Sequence, residues 1–243
     1  MPRFFVKADD IKENGIVLSG ENMHHLINVL RHKEGDEITV CDGSGFDYSC
    51  VISSVLKDEV LLEITDKCGS FSEPQIKISL FQGLPKGDKL SLITEKCVEA
   101  GVYDITPVNM ARCVSKLSAK DFSKKKERFE KISLSASKQS GRGIIPKINE
   151  LIEFNEFLKK KDKFDLVVFP YEEAKDVTLK SVIKDFRGEK IAMIIGPEGG
   201  FSKEEVQKLV SNGVTPVTLG RRILRTETAG MAAIFNILYE LEL

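Results

Sequence analysis

The stretch IAMIIGPEGGFSKEEV, Ile191–Val206, decides how this chain is read. An unbroken apolar run closed by a Gly-Pro is the pattern of a strand covered on both faces. Gly196, Gly199 and Gly200 follow, with Pro197 and a lone Glu198 between them. Ser202 and Glu205 then form a capping-box pattern, so a helix starts there. The loop between strand and helix is almost bare of side chains, and glycines let another group come close to the backbone. No Gly-Lys-Ser/Thr follows, which excludes a Walker A loop, and the spacing is not GxGxxG. A tight β-to-α turn would account for the glycines as well as a ligand would.

The same alternation runs outward from this point to Pro74 and to the C-terminus. IKISLFQGL, DITPVNM, FDLVVFP, KIAMII and TPVTLG read as strands. Between and after them stand DKLSLITEKCVEAG, the long basic FSKKKERFEKISLSASKQSG, DVTLKSVIKDF, SKEEVQKLVSNG and TETAGMAAIFNILYELEL, which read as helices. Strands alternating with helices predict an α/β fold with a mostly parallel sheet. Lys124 to Lys126 read as a solvated helix face.

The first seventy residues have another rhythm. GIVLSG, DEITVCDG, FDYSCVISSVL and EVLLEIT are short β runs separated by turn residues, and they predict a small barrel. One helix is expected across ENMHHLINVLRHK, with Met23, Leu26, Ile27 and Leu30 at helical spacing. CGSFSEP has linker character, so residues 1–70 and 74–243 are expected as two domains.

Composition narrows the class. Lysine plus arginine (36) balance aspartate plus glutamate (37), so any nucleic-acid contact must rest on a patch. Five scattered cysteines without a CxxC pair argue against a disulfide framework or a zinc site and fit a reducing compartment. No segment has the make-up of a signal peptide or a membrane span, and a cytoplasmic protein is expected. No metal is expected: His24 and His25 have no further ligand at metal spacing.

In open α/β sheets ligands bind beyond the carboxyl ends of the strands. Three such ends carry polar or small residues: VVFPYEE, IIGPEGGFS and TLGRRILRTETA. In the third, Arg221, Arg222 and Arg225 enclose Ile223 and Leu224, apolar residues in what should be a surface turn. A loop of that kind packs over something. Thr226 is placed to cap the last helix. Ala229, Gly230, Ala232 and Ala233 allow close approach of another element, by a ligand or by simple packing.

IIGPEGGFSKEE together with LGRRILRTETA resembles the signature of the SPOUT-class RNA methyltransferases, and within them the RsmE family. The resemblance covers nearly the whole chain: RFF at the start, HHLINVLRHKEGDEITVCDGSG, GLPKGDK, EKCVEAGV and KQSGR follow in order. The chain departs from the family pattern at Ala100, where leucine is usual, at Lys138, where glutamate is frequent, and at Arg221, where proline is usual.

The resemblance implies an enzyme that methylates N3 of a uridine in 16S ribosomal RNA from S-adenosyl-L-methionine, as a homodimer. It implies a PUA-like N-terminal barrel and a catalytic domain whose C-terminal segment is threaded as a trefoil knot. Cofactor contacts would come from Phe169 and Pro170, from Gly196, Pro197, Glu198, Gly199 and Gly200, and from Leu219, Arg222, Ile223, Leu224, Thr228 and Ala229. Methyl transfer from a sulfonium is an in-line displacement, and uridine N3 is a poor nucleophile while protonated. Arg222 or Arg225 could stabilise the uridine anion, and Glu198 or Glu227 could accept the proton. Arg225 and Glu227 are favoured because they begin the last helix. RNA contacts are expected from Arg3, His24, His25, Arg31 and Lys33, and from Lys86, Lys89, Arg112, Lys138 and Arg142.

Three other readings stand beside this one. A nucleotide-dependent reductase would need an early glycine loop with an acid ~20 residues on. A non-catalytic RNA-binding or ribosome-assembly protein would bind no cofactor. A methyltransferase of the same fold could act on a different nucleotide or RNA.

Overall fold

The computed structural model describes residues 3–13, 15–114 and 116–242. The chain forms two compact units, Met1–Glu73 with Ser137–Ile145, and Pro74–Ala136 with Pro146–Leu243. The segment Ser137–Ile145, read from sequence as part of the second domain, thus groups with the first.

The N-terminal unit holds one six-stranded sheet. Its strands are β1 (Arg3–Phe5), β2 (Ile11–Lys12), β3 (Gly15–Ser19), β4 (Glu37–Cys41), β5 (Phe46–Val55) and β6 (Glu59–Gly69). Hydrogen bonding runs β1-β4-β5-β6-β3-β2, antiparallel except for the β1–β4 pair. Alternate residues of β3 and β4 turn inward, and Ile16, Leu18, Ile38 and Val40 join Phe4, Leu26 and Ile52 in one core. The expected long helix is cut short. Helix α1 (Gly20–His24) passes into a π-helical turn, His25–Val29, and stops. Arg31 then takes a left-handed backbone with φ 60. Leu30, expected on the buried stripe, is 39% exposed because the helix has already ended.

Two arginines lock this unit together. Arg142 is buried, and its guanidinium donates to Glu73 Oε2 at 2.7 Å and to Oε1 at 3.2 Å. Glu73 Oε1 also accepts from the backbone of Gly143 (2.7 Å) and Ile144 (3.1 Å). Arg3 pairs with Asp47 at 2.5 Å and donates to the Gly141 carbonyl. A buried guanidinium that loses its partner is strongly destabilising, so these are structural pairs.

The C-terminal unit is an α/β fold around an all-parallel sheet. Its strands are β7 (Lys77–Gly83), β8 (Asp104–Asn109), β9 (Lys147–Ile148), β10 (Ile152–Glu153), β11 (Leu166–Pro170), β12 (Lys190–Ile195) and β13 (Thr215–Val217). The order is β10-β8-β7-β12-β11-β13, with β9 beside β8. The helices are α2 (Lys89–Glu99), α3 (Ala119–Ser140), α4 (Phe154–Lys160), α5 (Leu179–Ile183), α6 (Lys203–Ser211) and α7 (Thr226–Glu242). Strand β12 shows why the apolar run is unbroken. Ile191, Met193 and Ile195 face a core shared with Ile93 and Cys97 of α2 and Ala233, Ile234 and Ile237 of α7. Ala192 and Ile194 face the opposite core, with Phe157 of α4, Phe201, and Leu209 of α6. Gly230 lies in this core, where a Cβ would make ordinary contact with Cys97 Sγ at 3.4 Å and with Leu80. Helix α5 is shorter than expected and starts at its cap, Thr178, whose hydroxyl accepts from Ser181 N.

Because every pair is parallel, the carboxyl ends of β7, β11, β12 and β13 lie on one edge, and their loops gather there. Ser202 caps α6 as expected, in a reciprocal bond with Glu205. Thr226 does something different from the expected capping. It is the first residue of α7, and its buried hydroxyl donates to the Gly196 carbonyl (2.7 Å) and accepts from Gln82 Nε2 (2.9 Å). One side chain therefore ties the start of α7 to the ends of β12 and β7.

Removing that hydroxyl leaves a buried carbonyl unpaired. Thr226→Val should lower stability by about 2 kcal/mol and the melting midpoint by roughly 4–8 °C. Thr226→Ser, which keeps the hydroxyl, should lose less than half of that. Equal losses in thermal unfolding would mean that the hydroxyl bond does not hold this junction.

Candidate active site

The four gathered loops enclose a cavity of about 460 Å³ within the C-terminal unit. Its floor is the end of β12 and the bare loop that follows. Gly200 has φ +66, a conformation in which side chains are strained. A Cβ on Gly196 would lie 3.2 Å from Gly200, and one on Gly199 would lie 3.0 Å from Arg112 Cβ. Arg112 also donates to the Gly199 carbonyl at 3.0 Å. The loop is thus braced from behind by Arg112, and its backbone faces the cavity.

The opposite wall comes from the segment that leads into α7. Ile223, Leu224 and Arg225 line it, with Pro170 and Ala229 at the sides. Ile223 is 85% exposed, an apolar side chain held out over an open cavity. A smaller recess of about 130 Å³ continues past Leu219, Arg221 and Arg222. Arg221, the departure from the family pattern, is exposed there. Among the described residues, no ion pair or side-chain hydrogen bond holds the guanidinium of Arg221, Arg222 or Arg225.

Charge collects at the α7 end of the main cavity: Lys89, Glu172, Glu198, Arg225 and Glu227 line it. Lys89 Nζ lies 3.0 Å from Glu198 Oε1 and 3.4 Å from Glu227 Oε2. Glu198 also accepts from Lys86 N, at 3.1 and 3.3 Å through its two oxygens. Partial burial pushes the Glu198 carboxyl up, but its own backbone N–H, Lys89 and Lys86 N–H outweigh that and hold it below the usual range. The Glu198 carboxylate raises the Lys89 ammonium above its ordinary value, and Glu227 adds to the effect. Glu227 Oε2 is buried and, among the described residues, receives no hydrogen bond.

The structure brings together most of the residues proposed from sequence. Pro170, Gly196, Pro197, Glu198, Gly199, Gly200, Ile223, Leu224, Arg225, Glu227 and Ala229 line the main cavity, and Leu219 and Arg222 line the recess. Phe169 and Thr228 line neither. Phe169 is fully buried and packs edge-on to Phe201 behind the wall. Thr228 sits in the first turn of α7, its N–H bonded to the Arg225 carbonyl.

The expected RNA contacts divide. His24, His25, Arg31 and Lys33 are exposed around the end of α1, and Lys86 and Lys138 are exposed as well. Arg142 is buried against Glu73. Arg3 pairs with Asp47, and Arg112 donates to the glycine loop. Lys89 belongs to the cavity instead. Sequence reasoning missed that role, and it missed Gln82 and Glu172. The available signal was β7 itself, whose apolar ISLF run ends in a glutamine and a Gly-Leu-Pro break, a fourth strand end of the same kind.

Residues 72–238 match the RNA methyltransferase domain model and residues 18–65 the RNA methyltransferase PUA domain model. A ribosomal RNA small subunit methyltransferase E of Bacillus subtilis is 38% identical, covering 100% of this chain and 98% of its own length. The chain belongs to the ribosomal RNA small subunit methyltransferase E family. A further member, from Buchnera aphidicola, is 31% identical over 96% of this chain and 91% of its own. The Neisseria gonorrhoeae member, solved bound to S-adenosyl methionine, is 31% identical and superposes with a TM-score of 0.80 over 98% of this chain and 97% of its own. Family and fold are therefore those that the sequence motifs implied: a PUA domain followed by an α/β methyltransferase domain. Among the described residues, no helix is long and apolar enough to cross a membrane, and no cluster of three or more His, Cys, Asp or Glu could hold a metal ion.

Proposed function

We propose that this protein is a cytoplasmic methyltransferase that uses S-adenosyl-L-methionine to methylate N3 of a uridine in 16S ribosomal RNA, working as a homodimer. The observation that carries the reading is the cavity itself. A backbone-lined glycine loop faces an exposed apolar residue, and acids, a lysine and Arg225 stand at one end. The names of the relatives, and the bound S-adenosyl methionine of the Neisseria gonorrhoeae structure, support it.

The residues fit the cofactor. A cavity of about 460 Å³ falls within the ~300–1,000 Å³ of small-ligand sites. A Cβ on Gly196 would crowd Gly200 and Phe201, and one on Gly199 would crowd Arg112, so a side chain at either position would shift the loop that lines the cavity. Gly196 to Gly200 would offer backbone groups to the cofactor, and Leu219, Ile223 and Leu224 would seat its adenine. Bound S-adenosylmethionine supplies an electrophilic methyl group on a sulfonium. The chain's own task is to orient a uridine, exclude water and manage the N3 proton. Arg225 and Arg222, lacking other partners, are available to stabilise negative charge on the uracil ring. Glu227 and Glu198 are the acids within reach.

The trefoil knot belongs to the same proposal. After β13 the chain is fastened at three points that a threaded segment would require. Thr218 pairs with Thr178 beyond β11, and Thr226 holds Gly196 beyond β12 and Gln82 at the end of β7. For RNA, the exposed His24, His25, Arg31 and Lys33, with Lys86 and Lys138, supply the phosphate contacts.

The homodimer reading rests on α7. Phe235 and Tyr239 are 57% and 71% exposed on one stripe of that helix, with half-buried Met231 and Ala232 beside them. Phe235→Glu should convert a dimer to a monomer in sedimentation analysis. A wild type that sediments as a monomer would contradict this face.

Titration calorimetry with S-adenosylmethionine, followed by mass spectrometry of small-subunit RNA treated with the enzyme, tests the activity. The wild type should bind the cofactor and yield N3-methyluridine. Gly199→Val should weaken cofactor affinity about tenfold or more, since the valine cannot fit against Arg112 without moving the loop. Unchanged affinity in the valine variant would take the cofactor away from this loop.

A further inference from the structure

Two acids face one lysine at the end of the cavity, and their hydrogen bonds differ. Glu198 already has a fixed donor. Both its oxygens accept from Lys86 N, and Oε1 lies 3.0 Å from Lys89 Nζ. A carboxylate stabilised by a fixed donor and a close cation is a poorer proton acceptor. Glu227 is the opposite case. Its Oε2 is buried and, among the described residues, receives no hydrogen bond, and Lys89 lies 3.4 Å away without aligning a proton on it. A buried carboxylate oxygen without a donor is expensive, and it marks the place where a donor is to arrive. An imide N–H is such a donor.

We propose that Lys89 is a positioning residue that divides the work between the two acids: Glu198 anchors the ammonium, and the ammonium fixes the Glu227 carboxyl where it takes the N3 proton. The inference rests on the reading that uridine N3 is the acceptor. Lys89 opens α2, Glu198 stands in the β12 loop, and Glu227 is the second residue of α7, where the helix N-terminus also favours a negative charge. The remaining charged groups on the cavity are Arg225, from the segment before α7, and Glu172, beyond β11. In the step, the N3–H bond breaks as Glu227 Oε2 takes the proton. The pair left on N3 bonds the methyl carbon while the methyl–sulfur pair returns to sulfur, leaving a neutral thioether. Glu227 then passes its proton to solvent. The unpaired Arg225 guanidinium is placed to balance the ring's transient negative charge.

The test compares wild type with Glu227→Gln, Glu198→Gln, Lys89→Met and Lys89→Arg. Three quantities are read: cofactor affinity by calorimetry, kcat against pH on small subunits, and the carbon-13 titration of the Glu198 carboxyl in the free protein. Glu227→Gln should lower kcat about 100-fold or more, the usual scale of a lost general base, with cofactor affinity within about threefold. Glu198→Gln should lose less kcat than that. Lys89→Met should lower kcat about tenfold with cofactor affinity within about threefold, because the Glu227 carboxyl is no longer held in place. The same variant should move the Glu198 carboxyl titration upward, and Lys89→Arg should restore both. The proposal is overturned if Lys89→Met leaves kcat unchanged. It is also overturned if Glu227→Gln keeps a third of its kcat, or if Glu198→Gln loses more than Glu227→Gln. A folded wild type that neither binds cofactor nor methylates subunits overturns the functional reading instead. The Glu198 titration then still shows whether Lys89 holds the acids.

Discussion

The Thr226 hydroxyl is the point on which the rest of the site depends. It lies between the Gly196 carbonyl and the Gln82 amide, so the start of α7 is fixed against two strand ends at once. The parallel register of β7, β12 and β11 brings those ends to one edge. Parallel strands alone would give a row of loops. The threonine turns that row into a cavity, because it holds the segment carrying Ile223, Leu224 and Arg225 opposite the glycine loop. The loop needs its own brace, which Arg112 supplies through the Gly199 carbonyl. Preorganisation of this kind spares a bound ligand the entropy of ordering its own site.

Electrostatics complete the arrangement on a small scale. A net charge of −1 says little, because the charges that matter are local and paired. Lys89 serves two carboxylates, one from the β12 loop and one from α7, Arg142 serves one half-buried glutamate, and among the described residues the arginines before α7 serve none. The first arrangement orients, the second holds a fold together, and the third leaves positive charge available to a substrate. Ion pairs that keep part of their surface in water contribute little to stability, so the Lys89 contacts are better understood as a matter of geometry than of folding energy.

Much of this was legible in the sequence because the signals are local. Strand β12 is read from five apolar residues in a row, the start of α6 from Ser202 and Glu205, and the glycine loop from its own composition. The partly apolar turn Ile223–Leu224 gave away the opposite wall. What stayed hidden depends on contacts distant in the chain. Arg3 and Arg142 look like free surface cations until Asp47 and Glu73 are found beside them. Lys89 looks like one more surface lysine, since Glu198 and Glu227 lie over a hundred residues away. Thr226 looks like a helix cap, and its real partners come from β12 and β7. The early end of α1 was hidden for a different reason: Met23, Leu26, Ile27 and Leu30 fit a helix, and nothing local announces the π turn that ends it. The grouping of Ser137–Ile145 with the first unit had no local signal either, because it follows from Glu73 binding Arg142, Gly143 and Ile144.

The most direct test of the account is a crystal structure of this protein with S-adenosylmethionine bound. The account predicts the adenosine between the backbone of Gly196–Gly200 and the side chains of Ile223 and Leu224, with the sulfonium methyl directed toward the end of the cavity that holds Lys89, Glu227 and Arg225. Cofactor bound elsewhere, or bound here with its methyl facing away from Glu227, would contradict it.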